Sequence, residues 1–183
     1  MTADAVRAAF PEIDEIGDQR LRAGVTSAWA SAMAEAGIDD LETVPWLPPT
    51  QRDLGIEDAT LVEHVRDVTA GAVALAETLT ARRGAAVDLD TVIAGALVHD
   101  VSKLAEFEGM ERTRIGALLG HPYYGVHVVA RADLPVELAH VVLSHTSRTT
   151  VEPATLEAEI VRRADEVAAA AIRATAIEDL RDA

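Results

Sequence analysis

The stretch "GALVHDVSKL", residues 95–104, decides how this chain is read. Gly-Ala-Leu-Val has the character of a helix interior, with nothing polar to offer to water. It runs straight into His99 and Asp100. Three residues further on stands Lys103, the only lysine among 16 basic residues. A preference for arginine, with abundant Ala and Val, explains why lysine is rare. It does not explain why the one lysine sits beside a His-Asp pair.

Outward from this stretch the pattern is helical almost throughout. Residues 88–104 are apolar nearly all round, so they predict a central helix. Residues 58–84 carry apolar side chains at 61, 62, 65, 68, 72, 73, 75 and 79, the spacing of a long amphipathic helix that opens on Asp58 and ends on Gly84. Residues 18–37 open on Asp18 and end on Gly37. "TVPWLPPTQRDLG" (43–55) holds three prolines and is expected to be a loop. Residues 106–120 read as a loop with one short helix. A helix from 121 has Pro122 in its first turn and His121 as its cap. Two more helices cover 134–147 and 152–180. No segment alternates as a strand would, and the expected fold is all-α. The proline-rich loop divides a small N-terminal helical extension, residues 1–57, from a helical bundle, residues 58–183.

Composition limits the function. Hydrophobic residues make up 49% of the 183, enough for a packed core. The absence of cysteine removes disulfides and thiolate chemistry, so any metal site must be built from His, Asp and Glu. The acidic N-terminal stretch does not read as a signal peptide, and no run reaches the roughly 18 apolar residues of a membrane span, so a cytoplasmic location is expected. The net charge of −15 repels polyanions, which argues against nucleic-acid binding. It also repels a phosphorylated substrate, unless the site carries compensating positive charge.

The ionisable residues are not where solvated groups belong. His64 is three after Leu61 and four before Val68, on the apolar stripe of its helix. His145 follows Val141 by four, and Asp165 follows Val161 by four. His121 stands at a helix start. One buried histidine is commonly a satisfied core residue. Four histidines and two aspartates at inward or cap positions are another matter, because each buried unpaired group costs on the order of several kcal/mol. Together they suit one or two near-octahedral first-row ions. His127 and His140 fall off these faces and read as surface residues or supports for the ligands. Gly95, one turn before His99, fits a close approach by a neighbouring helix or by substrate.

The order His64, then His99-Asp100 in "LVHDVSK", then His121 in "GHPYYG", His145 in "VVLSHTS" and Asp165 in "VRRADEVA" resembles the HD-domain metal-dependent phosphohydrolase superfamily. The resemblance covers about 60–175. The two additional histidines are similar to the subgroup that holds two metals, as in symmetrical diadenosine-tetraphosphate hydrolases and cyclic-dinucleotide phosphodiesterases. The Gly-Tyr-Pro signature of the latter is replaced here by "HPYYG". The resemblance implies that His64, His99, Asp100 and Asp165 hold a first metal, and that Asp100 bridges to a second held by His121 and His145. The ions would be divalent transition metals, iron or manganese before magnesium.

A hydroxide bridging the metals would attack a phosphate mono- or diester of a small, nucleotide-like substrate. Lys103, on the same helix face as Asp100, would meet a phosphoryl oxygen and stabilise developing charge. As a helix-end cation it would instead only answer the helix dipole. Arg112, Arg114 and Arg148 are the candidates for gripping a second phosphate or a carboxylate. The same ligand set also resembles the mixed-valent di-iron oxygenases, and a non-catalytic nucleotide-sensing HD module is a third reading. The expected partners are a small phosphorylated substrate and, at most, a second copy of the chain, with neither nucleic acid nor membrane.

Overall fold

The computed structural model describes residues 2–56 and 58–182. Glu57, where the extension was expected to end, and Ala183, where the bundle was, lie outside the described residues. In chain order, helix α1 (Thr2–Ala9) leads through a 3-10 turn (Pro11–Glu15) to α2 (Gln19–Ala36) and α3 (Pro48–Leu54). The bundle follows as α4 (Leu61–Arg83), α5 (Leu89–Val98) and the short α6 (Lys103–Glu106). A hairpin of β1 (Phe107–Glu108) and β2 (Glu111–Arg112) leads to α7 (Arg114–Leu118), α8 (Gly120–Arg131), α9 (Val136–Ser144) and α10 (Leu156–Arg173). The fold is all-α. The two-residue strands, turned at Gly109 with φ 57°, make the only sheet among the described residues.

Helix ends follow local chemistry. Asp18 accepts hydrogen bonds from the N–H groups of Arg20 and Leu21, and Asp88 accepts one from Thr91. The long helix α4 starts two residues later than expected, because Thr60 and Glu63 form a reciprocal capping box that Asp58 cannot. The proline-rich segment is not all loop. Pro48 and Pro49 occupy the first turn of α3, where a missing N–H costs nothing. The segment before α3 is stitched to the start of α4 by Trp46 N–H to the Ala59 carbonyl (3.0 Å) and Leu61 N–H to the Val44 carbonyl (2.8 Å).

The central helix also stops earlier than its apolar pattern suggests. α5 ends at Val98, and residues 99–102 form tight turns. Here Val101 N–H bonds the Val98 carbonyl and Lys103 N–H bonds the Asp100 carbonyl, an i to i+3 pattern. This tightening frees the Leu97 carbonyl from its helical partner. The indole N–H of Trp29 on α2 takes it up at 2.8 Å, deep in the core. Trp29 also packs on Phe10, with ring centroids 4.7 Å apart. The N-terminal extension and the bundle therefore share one core, in which Val6, Phe10, Ile13 and Trp29 join Leu61, Val65, Leu97 and Val101.

A second apolar cluster holds α4, α5, α9 and α10 together. Gly95 belongs to ordinary helix packing there: a Cβ on it would stand 3.2 Å from Val141 Cγ1 of α9. Among the described residues no helix is long and apolar enough to cross a membrane.

Trp29→Phe keeps most of the buried ring but leaves the Leu97 carbonyl without a donor. It should cost about 1–3 kcal/mol, the usual consequence of orphaning a buried polar group. Denaturant unfolding monitored by circular dichroism measures it; an unchanged midpoint would show that the bond carries no weight.

Candidate metal centre

Five segments converge on one point. α4 supplies His64 from its first turn, and α10 supplies Asp165 from its middle. The tight turn after α5 supplies His99 and Asp100. α9 ends on Ser144, and His145 follows it directly. His121 is not a cap: α8 begins at Gly120, whose φ of 69° turns the chain into the helix, and His121 is its second residue. The Ser102 hydroxyl donates to the His121 carbonyl at 2.6 Å and ties this helix to the turn after α5.

Asp100 lies at the centre, 1% exposed. Its two oxygens face different neighbours. Oδ2 is 3.4 Å from His64 Nε2 and 3.3 Å from His99 Nε2. Oδ1 is 3.3 Å from His121 Nε2 and 3.7 Å from His145 Nε2. Asp165 Oδ1 completes the first group, 3.0 Å from His64 Nε2 and 3.7 Å from His99 Nε2. His64, His99, Asp100 and Asp165 each offer a ligand atom within 4.8 Å of the others, and so do Asp100, His121 and His145. All six residues expected to ligate metal are thus brought together, in two groups that share Asp100.

The imidazoles are oriented for this. His99 Nδ1–H donates to the Ala96 carbonyl at 2.6 Å, and His145 Nδ1–H to the Val142 carbonyl at 2.7 Å. A carbonyl can only accept, so each ring presents an Nε2 lone pair to the cluster. His121 does the same through Glu106, whose Oε2 takes its Nδ1–H at 2.6 Å. Several of the inward atoms have no hydrogen-bond partner, namely His64 Nε2, His99 Nε2 and Asp100 Oδ1, while Asp100 Oδ2 has the Lys103 ammonium beside it. Buried lone pairs without donors are what a cation would satisfy. The nitrogen and carboxylate donor set suits a divalent first-row ion.

Lys103 does not end α5 but lies five residues beyond it, at the start of the one-turn α6. It is buried, and its Nζ lies 2.6 Å from Asp100 Oδ2. Above the cluster is a cleft of about 90 Å³, lined among others by Trp46, Lys103, Arg148 and Arg173. Lys103 also borders a larger hollow of about 420 Å³, with Ile38, Val44, Leu104 and Phe107 in its wall and Asp39 and Asp40 alongside. Of the other expected substrate residues, Arg148 reaches this cleft, and its Nη1 donates to Glu106 Oε1 at 3.3 Å. Arg112 lies over the Phe107 ring, 3.9 Å from the same Glu106 oxygen, and Arg114 is exposed on α7; neither lines the cleft. His127 is exposed, and His140 Nε2 accepts the Ala154 N–H at 2.8 Å.

The sequence reading missed Glu106, Trp46 and Arg173. Glu106 stands three residues after Lys103, the helical spacing that puts both on one side, and it is 1% exposed.

In the metal-free protein these contacts set the charges. Burial is the strongest influence on His145 and, with His99 nearby, pushes it down to about 3. Burial alone would raise Asp165, but His64 Nε2 at 3.0 Å and the fields of His99 and His145 outweigh it and hold the carboxyl at about 2. Burial likewise opposes ionisation of Asp100, yet Lys103 and His99 keep it well below the usual carboxylate range. His99 is raised, because Asp100 and Asp165 overcome its burial.

A depressed group stabilises the fold above its ordinary value and stops doing so as pH falls through its folded value. For His145 that window runs from about 6.5 to about 3, while the raised His99 changes stability only above about 6.5 and contributes a constant amount below it. For Asp165 the window runs from about 4 to about 2, so the two losses overlap below about pH 4. Chelator-treated protein should therefore lose thermal stability most steeply below about pH 4, read as Tm against pH; a flat Tm between pH 5 and 3 would contradict this. Glu106→Gln should weaken metal binding by roughly 10- to 100-fold, because it loosens the hold on His121, and a competitive chelator titration measures this.

A family model described as HD domain matches residues 61–170. A dihydroneopterin 2',3'-cyclic phosphate phosphodiesterase of Methanocaldococcus jannaschii is 33% identical over 111 residues. That alignment is 58% of this chain and 45% of the relative, so the chain spans less than half the length of the protein it matches. No solved structure matches.

Proposed function

The chain belongs to the HD-domain family, and from that premise we propose that it is a metal-dependent hydrolase of phosphate mono- or diesters. The observation that carries this reading is Asp100, whose two oxygens each face a separate pair of imidazoles. His64, His99, Asp100 and Asp165 would hold one ion, and Asp100, His121 and His145 a second, with iron or manganese suited to four imidazoles. When bound, such ions supply water activated at neutral pH and polarise a phosphoryl oxygen.

The chain's own groups do the rest. Lys103 and Arg148 bring positive charge to the cleft, which offsets the repulsion of a phosphate by a chain of net charge −15. Lys103 is the residue placed to bind a phosphoryl oxygen and stabilise charge developing on it. Glu106 accepts the proton on His121 Nδ1 and keeps that ring in one orientation. Trp46 and Leu47 cover one side of the cleft and limit the entry of bulk water. The hollow beyond Lys103, mostly apolar with Asp39 and Asp40 alongside, suits an uncharged organic body with hydrogen-bond donors. This agrees with the cyclic phosphate named for the archaeal relative, a phosphodiester carried on an organic ring compound.

The test is anaerobic turnover of a phosphomonoester and phosphodiester panel, including nucleoside 2',3'-cyclic phosphates, by protein of measured metal content. Wild type should release product without oxygen. Lys103→Ala should keep its metal and lose roughly 10²- to 10³-fold in kcat, the usual effect of removing one preorganised charge. No phosphoester cleavage without oxygen, together with oxygen consumption once air is admitted, would overturn the reading in favour of a di-iron oxygenase.

A further inference from the structure

The cleft over the cluster has a wall that the family match does not contain. Trp46, Leu47 and Arg173 all line it, and all lie outside residues 61–170. Trp46 is 2% exposed, and its buried indole N–H has no hydrogen-bond partner. Two cations stand over its ring: Lys103 Nζ at 5.7 Å from the centroid and the Arg173 guanidinium at 5.4 Å.

Arg173 closes α10, where the helix dipole favours a cation. That accounts for the residue type, but not for a guanidinium laid over an indole in a cleft. In a chain with 31 acidic residues, Arg173 has no carboxylate partner among the described residues. Arg148, on the same cleft, uses one of its five N–H donors on Glu106. Two guanidinium groups and an ammonium border this cleft of about 90 Å³ together with the carboxylates of Asp100 and Asp165, both of which belong to the ligand cluster. Asp100 already answers Lys103. Among the described residues nothing comparable answers Arg173.

We propose that Arg148 and Arg173 form a subsite for a second anionic group, a phosphate or carboxylate carried by the substrate beside its scissile phosphoryl group. The Trp46 ring supports the Arg173 guanidinium, and the planar forks suit an oxyanion. The subsite rests on the phosphohydrolase reading and adds to it a substrate class, small phosphoesters that carry a further anionic group.

The test compares three ligands on one three-carbon skeleton by calorimetry with the metal-loaded protein: glycerol 3-phosphate, 3-phosphoglycerate and glycerol 1,3-bisphosphate. The two doubly anionic compounds should bind wild type about tenfold or more tightly than glycerol 3-phosphate. Whichever gains more identifies the second anion as carboxylate or phosphate. In Arg173→Gln the preference should fall to within about twofold, and Arg173→Lys should restore part of it. Arg148→Gln should reduce it independently, which covers the case of an Arg173 variant that fails to fold. Equal binding of all three by wild type, or a preference that survives both glutamine variants, overturns the subsite. Hydrolysis of bis(4-nitrophenyl) phosphate by the same preparation separates the two claims. Turnover without the preference sinks the subsite alone. Neither turnover nor binding of glycerol 3-phosphate sinks the hydrolase reading, and the subsite with it.

Discussion

A carboxylate withdrawn from water is the constraint around which this molecule is arranged. Asp100 is buried among four imidazoles and an ammonium, and no single neighbour could offset its desolvation. The neighbours must come from several directions at once. That requirement explains why α4, α8, α9 and α10 all run past the end of α5, and why α5 gives up its regular hydrogen bonding after Val98. A continuous helix through residues 99–102 would hold the same side chains at a helical pitch. The tighter turn instead sets Asp100 between the two pairs of histidines, with Lys103 folded back upon it. The carbonyls of Ala96 and Val142, in the last turns of α5 and α9, fix the tautomers of His99 and His145.

Much of this was legible in the sequence, for a plain reason. A polar residue on an apolar helical stripe violates the pattern around it, as His64 and Asp165 do within helices that periodicity defines well, and the His99-Asp100 pair breaks an apolar run in the same way just past the end of α5. Their convergence follows once the helices pack on one core. What the sequence left hidden depends on contacts between distant segments. Glu106 sits in a stretch that reads as loop, and only the arrival of His121 gives its carboxylate a purpose. Trp46 stands in a run of prolines whose local chemistry says turn, and nothing local says that it roofs a metal cluster. Arg173 looks like any basic residue at a helix end until its ring partner is known. The early end of α5 was concealed because Val101 and Leu104 continue its apolar pattern through the turn.

The extension bears on the same point. Family resemblance begins near α4, yet the donor that satisfies the Leu97 carbonyl comes from α2, and one wall of the cleft comes from the segment before α3. The unit recognised by sequence similarity is therefore smaller than the unit that completes the site. A fragment cut at the edges of the match would expose the α5 end to water and remove the aromatic cover of the cluster.

The contact between Lys103 and Asp100 has a further meaning for how such a centre comes into being. Clusters of acidic and imidazole ligands commonly hold together only when their ion is present, so that folding waits upon supply of the metal. Here the central carboxylate already holds a cation of the chain's own, 2.6 Å from Oδ2. An ammonium on a flexible stem thus shares with any bound ion the task of neutralising the buried carboxylate, so that folding does not rest on metal supply alone.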